Sequence, residues 1–114
     1  MPVERKAIEF LGSALEDLLR FPVSARREAG YQLDKVQASE EPDDWKPMGT
    51  VGSGVFEIRV RDSAGAFRVF YVAKLKDAVY VLHCFQKKTR QTDDSDIALG
   101  QARYRALMRR EKPK

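Results

Sequence analysis

The sequence predicts an α+β fold: two N-terminal helices packed on a mostly antiparallel sheet, with a helix at the C-terminal end. Two observations carry that prediction. The stretch Val55–Lys88, VFEIRVRDSAGAFRVFYVAKLKDAVYVLHCFQKK, holds three apolar runs rich in β-branched and aromatic residues, separated by two short turn-like breaks. Such runs read as strands. Connections this short favour an antiparallel meander over Val55–Phe85, because parallel crossovers need a dozen or more residues. The flanking stretches instead repeat apolar residues at intervals of three and four, the helical period. With 114 residues, the chain is expected to form one domain over 1–114, long enough for a sheet covered by helices without metal or disulfide staples.

Each element has its own local reason. Lys6–Leu11 (KAIEFL) reads as a first strand. Gly12-Ser13 breaks it, and Ser13 with Glu16 three residues later has the pattern of a capping box. A short helix follows over Ala14–Arg20, with Leu15, Leu18 and Leu19 as its apolar side. Pro22 stops that helix and can open the next at its first turn. The second helix is expected from about Val23 to about Ala38, with Ala29, Leu33 and Val36 on one stripe. Gly30 inside it costs about 1 kcal/mol relative to alanine, which predicts close packing by a neighbour. Glu40–Gly54 reads as a linker, with Trp45 anchoring it to the edge of the core. Gly52-x-Gly54 is read as turn chemistry, since it lacks the further glycine and the helix of a phosphate loop.

Within the meander, Val55–Arg61 alternates strictly, with Phe56, Ile58 and Val60 against Glu57, Arg59 and Arg61. Asp62–Ala66 is a hairpin loop whose Gly65 can take positive φ. Phe67–Ala73 is the second strand, Lys74–Ala78 the second break and Val79–Phe85 the third strand. Lys87–Gln91 is a basic exit loop. Thr92, Asp93 or Asp94 caps a last helix reaching about Arg109, with Ile97, Ala98, Leu99, Ala102, Leu107 and Met108 as packing positions. Asp93, Asp94 and Asp96 at its positive end, and Arg109, Arg110 and Lys112 at its negative end, complement the helix dipole.

The formal net charge of +4 is modest, but its distribution is uneven. From Lys46 to Thr92 nine basic residues stand against three acidic ones, while Glu40-Glu41-Pro42-Asp43-Asp44 is acidic. The positive field is centred on the sheet, where it would steer an anionic substrate. Cys84 is the sole cysteine and sits in an apolar run, so it reads as a buried thiol. No apolar run reaches the length of a membrane span and the N-terminus has no signal-peptide core; the expected location is the cytoplasm.

The alternation also sorts candidate functional residues. In the second strand Val69, Tyr71 and Ala73 share one face, and Arg68, Phe70 and Val72 the other. In the third, strict alternation sets Tyr80, Leu82 and Cys84 against Val79, Val81, His83 and Phe85, with Lys87 following the His83 face. Arg59 and Arg68 would then look the same way, two guanidinium forks suited to phosphate oxygens. His83 is the sole histidine, and an imidazole is the side chain best suited to acid–base work. Without cysteine or further histidine partners it makes no zinc site, and no metal or other cofactor is expected. Glu57 has the parity of Arg59 and is read first as its ion-pair partner, second as a base. Phe70 and Phe85 share the basic face and could stack on bases or pack under the last helix, whereas Phe67, Tyr71 and Tyr80 read as core.

With those residues in view, the stretches PDDWKPMGTVGSGVFEIRVRDSAGAFRVFYV and VYVLHCFQKKT, with GYQLDKVQ upstream, resemble the RelE/ParE toxin superfamily, and most the phage-derived, HigB-like branch of type II toxin–antitoxin modules. The resemblance implies two helices on an antiparallel or mixed sheet. It also implies a ribosome-dependent mRNA endoribonuclease that inhibits translation and is held by a cognate helix-turn-helix antitoxin. On that template Arg59 and Arg68 stabilise the phosphate and transition state, and Lys87 serves the leaving group or the phosphate; His83, read from its own chemistry, is the candidate acid–base residue. Lys46, Arg61, Phe85, Lys88 and Arg90 would contact RNA. The alternative is a non-nuclease, either a ParE-type gyrase poison or an inactive prophage relic that only binds its antitoxin.

Overall fold

The computed structural model of the protein describes residues 5–111. Lys112, expected at the basic end of the last helix, lies outside them. The strands are β1 (Ala7–Phe10), β2 (Trp45–Pro47), β3 (Val55–Asp62), β4 (Gly65–Val72) and β5 (Ala78–Lys87). They form one sheet in the order β1-β5-β4-β3-β2. The helices are α1 (Ala14–Leu19), α2 (Val23–Gln37) and α3 (Asp94–Arg110). Helices α1 and α2 bury their apolar sides against one face of the sheet, and α3 against the other.

β3, β4 and β5 make the expected antiparallel meander. The sheet as a whole is mixed, because β1 runs parallel to β5. The long excursion between those two strands supplies the crossover that a parallel pair requires. β2 falls inside the stretch read as a linker. Three residues ending in a proline carry no alternation, and β2 is a strand only through its pairing with β3, from Trp45↔Ile58 to Pro47↔Phe56. The β3–β4 hairpin closes at Asp62↔Gly65, with Gly65 at φ +138°. The Asp62 carboxylate accepts a hydrogen bond from the Ala64 amide at 3.0 Å.

Several local expectations change. Ser13 is the N-cap residue of α1, but its side chain makes no capping hydrogen bond. Its hydroxyl donates to Asp17 at 2.8 Å and accepts from Arg103 at 3.0 Å, so a partner on α3 outcompetes the helix amides. Leu15 and Leu19 are exposed, because a helix of six residues turns only Ala14 and Leu18 fully inward. On α2 the stripe is the expected one, lengthened to Ala25, Ala29, Gln32, Leu33 and Val36. Gly30 is not there for close packing: a Cβ would meet nothing within 4 Å. On α3, Ala98 and Ala102 face solvent. Ile97, Tyr104, Leu107 and Met108 pack on the sheet instead. Gly100 permits this, since a Cβ there would stand 3.0 Å from Phe70 and 3.1 Å from Val51.

The largest correction concerns β5. Phe70 pairs with His83 but Tyr71 pairs with Val81, which makes Leu82 the additional residue of a β-bulge. Tyr80 therefore lies under α3 with Leu82 and Phe85, while Val79, Val81 and Cys84 face α1 and α2. Strict alternation through Val79–Phe85 had put Tyr80 with Cys84; they are on opposite faces. The Leu82 carbonyl accepts a hydrogen bond from Arg103 at 2.9 Å, so α3 supports the bulge directly.

Candidate functional site

The register of the sheet arranges the basic residues in rows. Side chains directly across antiparallel strands share a face. One row runs Lys46, Glu57, Phe70, His83 across β2 to β5. The next runs Arg59, Arg68, Phe85, and the third Arg61, Ala66, Lys87. Rows on one face are about 7 Å apart along the strands. Arg59, Arg68, His83 and Lys87 thus stand on a single face, as do Lys46 and Arg61. The bulge at Leu82 lies before His83, so it leaves this part of the alternation intact.

Glu57 is the centre of the arrangement. It is 1 % exposed, yet it is ionisable and mid-strand. Its Oε1 lies 3.3 Å from Arg59 Nε, 3.6 Å from Arg68 Nε and 4.0 Å from Lys46 Nζ. Oε2 is buried without a hydrogen-bond partner among the described residues. Arg59 and Arg68 face each other directly across β3 and β4. A like-charged pair in that position is destabilising by itself, and the carboxylate beside both offsets the repulsion. Arg68 is 8 % exposed, and burial lowers its pKa, with Glu57 opposing that shift and Arg59 adding to it. It stays a cation, as arginine does throughout the ordinary pH range. One of its terminal nitrogens donates to the Phe67 carbonyl at 3.0 Å, which fixes the plane of the guanidinium.

His83 is held differently. Its Nε2 is 2.7 Å from Asp96 Oδ1 in the first turn of α3. The ring stacks on Phe85, with centroids 4.9 Å apart and planes 20° apart. His83 is 6 % exposed and its Nδ1 is buried without a partner among the described residues. α3 is placed for this by its N-cap: Asp93 accepts from the Ser95 amide at 2.9 Å. Phe85, expected to contact RNA, is buried in the cluster beneath α3, because the helix covers that end of the row. Lys87 donates to the Arg90 carbonyl at 2.7 Å and tethers the exit loop. Arg61, Lys88 and Arg90 are exposed. Lys88, just past the end of β5, borders a groove with Asp17 and Arg20 that His83 and Phe85 also line.

The face therefore joins an arginine pair, a lysine on either side and one buried carboxylate. Chemically it can bind an anion at Arg59, whose side chain is about a third exposed, while the charge of the more deeply buried Arg68 helps to neutralise charge that builds up there. The pairing of Glu57 with Arg59 was legible in the sequence from their shared parity, but its burial between three cations was not. Nor was Asp96, because its approach to His83 depends on how α3 crosses the sheet.

A family model described as Phage derived protein Gp49-like matches residues 16–105. The chain belongs to the phage-derived Gp49-like family. This is a RelE/toxin-like family, and the Gp49-like segment takes in every row of the basic face, together with α2 and most of α1 and α3. No curated protein matches the chain. Among the described residues of this Gp49-like protein no helix is long and apolar enough to cross a membrane, and no three His, Cys, Asp or Glu side chains are grouped to hold a metal ion.

Proposed function

We propose that this Gp49-like chain is the toxin of a type II toxin–antitoxin module of the HigB-like kind. It cleaves mRNA on the ribosome in the cytoplasm without a metal ion, and a helix-turn-helix antitoxin restrains it. The observation that carries this reading is the opposed Arg59–Arg68 pair gathered on buried Glu57. A fold keeps such a costly pair where an anion is its business.

In the proposed reaction the ribose 2′-oxygen bonds to the adjacent phosphorus and gives up its proton. The bond from phosphorus to the 5′-oxygen then breaks, and that oxygen takes a proton. The products are a 2′,3′-cyclic phosphate and a 5′-hydroxyl. Arg59 binds a non-bridging oxygen, and the paired charges of Arg59 and Arg68 offset the added charge of the phosphorane. Lys87 serves the leaving oxygen and His83 carries the proton. Glu57 is the positioning residue that aims both arginines. His83 can reach RNA only if the first turn of α3, with Asp96, shifts on binding. The closed His83–Asp96 contact is the observation that favours the alternative, a gyrase poison or a silent antitoxin-binding relic.

Induction in growing cells followed by mapping of transcript 5′ ends separates the two. The nuclease reading expects new 5′-hydroxyl ends within translated regions and intact DNA. Growth arrest with whole transcripts and gyrase-dependent DNA breaks would establish the alternative.

A further inference from the structure

The acidic stretch before the sheet has no part in the proposed chemistry, but it borders a cavity of about 320 Å³ on the opposite side of the sheet. Trp45, Phe56 and Tyr71 line it in a continuous aromatic series. Trp45 meets Phe56 edge-on with centroids 5.2 Å apart, and Phe56 lies 5.9 Å from Tyr71. Glu40 and Glu41 stand at the rim. Neither makes an ion pair among the described residues, although cations are close by. Arg5 is engaged by Asp34 and Lys35 by Asp43. The Lys6 ammonium, also at the wall, is committed to the Ala73 and Leu75 carbonyls at 2.6 and 3.0 Å. Val36 and Ser39 bring the end of α2 to the cavity, where its last carbonyls already accept from the Lys6, Ala38, Ser39 and Glu40 amides.

Aromatic faces and two exposed carboxylates without an ion-pair partner among the described residues favour a cation, and a flat one most. We propose that this cavity receives an arginine side chain carried by an extended segment of a partner polypeptide. The guanidinium stacks on the aromatic series and pairs with Glu40 and Glu41, while the methylene stem covers Val36 and Ala73. The site lies on the α2 side of the sheet, so its occupancy is independent of the Glu57 face and of the nuclease reading.

Trp45 is the only tryptophan, so its emission reports on this cavity alone. Titration of the intact protein with N-acetyl-arginine methylamide, at constant ionic strength, should change that emission saturably in the millimolar range. The neutral citrulline analogue should not. Replacing the rim carboxylates together (Glu40→Gln with Glu41→Gln) should weaken the arginine probe about fivefold, as expected for two exposed charge contacts. No saturable change, an equal change with the citrulline analogue, or an unaltered titration in the double variant would overturn the proposal. Tighter binding of putrescine than of the arginine probe would overturn the polypeptide assignment in favour of a small organic cation.

Discussion

Removing the charge from Glu57 would leave Lys46, Arg59 and Arg68 gathered with nothing between them. Breaking a buried pair by removing one partner costs about 3–5 kcal/mol. Lys46 and Arg59 are a third or more exposed, so water screens part of the loss. Glu57→Gln should therefore destabilise the protein by about 2 kcal/mol, read as a lower urea midpoint at unchanged slope. If stability is unchanged, the carboxylate is not what holds the three cations together. Cys84 stands at the other extreme of legibility. Its position in an apolar run announced burial, and burial pushes its thiol pKa up to about 12. Glu57 was harder to rank, because a period of two gives the face of a charged residue and not how deep that face lies.

Among the elements, the helices divide by what the sequence could encode locally. The α2 stripe was readable from spacing alone, yet the sequence offered a false reason for Gly30. That glycine faces open space with an ordinary helical backbone. Gly30→Ala should then raise stability by about 1 kcal/mol, through helix propensity and a less flexible unfolded chain. A loss of stability on thermal melting would mean that a neighbour does crowd the position. At α3 three cap residues were possible and Asp93 is the one used. Its carboxyl is held below the usual carboxylate range, first by the Ser95 backbone amide and then by the Ser95 hydroxyl. A depressed folded pKa means that the cap contributes fully above the unfolded value and is lost as pH falls through the folded one. Asp93→Ala should lower the melting temperature at neutral pH, with the gap to the parent closing in strong acid. A gap independent of pH would show that the charge is not involved. Two features stayed invisible, and both are non-local. β2 exists only as a partner of β3, and the Leu82 bulge appears only once β5 is laid against β4.

For the molecule as a whole, the meander and its two-sided cover were written in the sequence as periodicity, and so was the shared face of Arg59, Arg68, His83 and Lys87. Closure of His83 beneath α3 was not, because it depends on the angle at which a helix seventeen residues long crosses the sheet. That angle follows from Gly100 against Phe70 and from Arg103 reaching across to Leu82 and Ser13. The same fold gives the sheet a cationic face and, on its other side, an aromatic cavity with an acidic rim. The account depends most on Arg59 and Arg68 acting on one phosphate as a unit. Cleavage of ribosome-bound mRNA by purified wild-type protein, Arg59→Ala, Arg68→Ala and the double variant tests this most directly, with melting curves confirming that each is folded. Each single change should cut the rate by about 10²-fold or more. The double variant should be little slower than the worse single one, as expected of residues that work together. Undiminished cleavage in folded Arg68→Ala, or losses that simply multiply in the double variant, would contradict it.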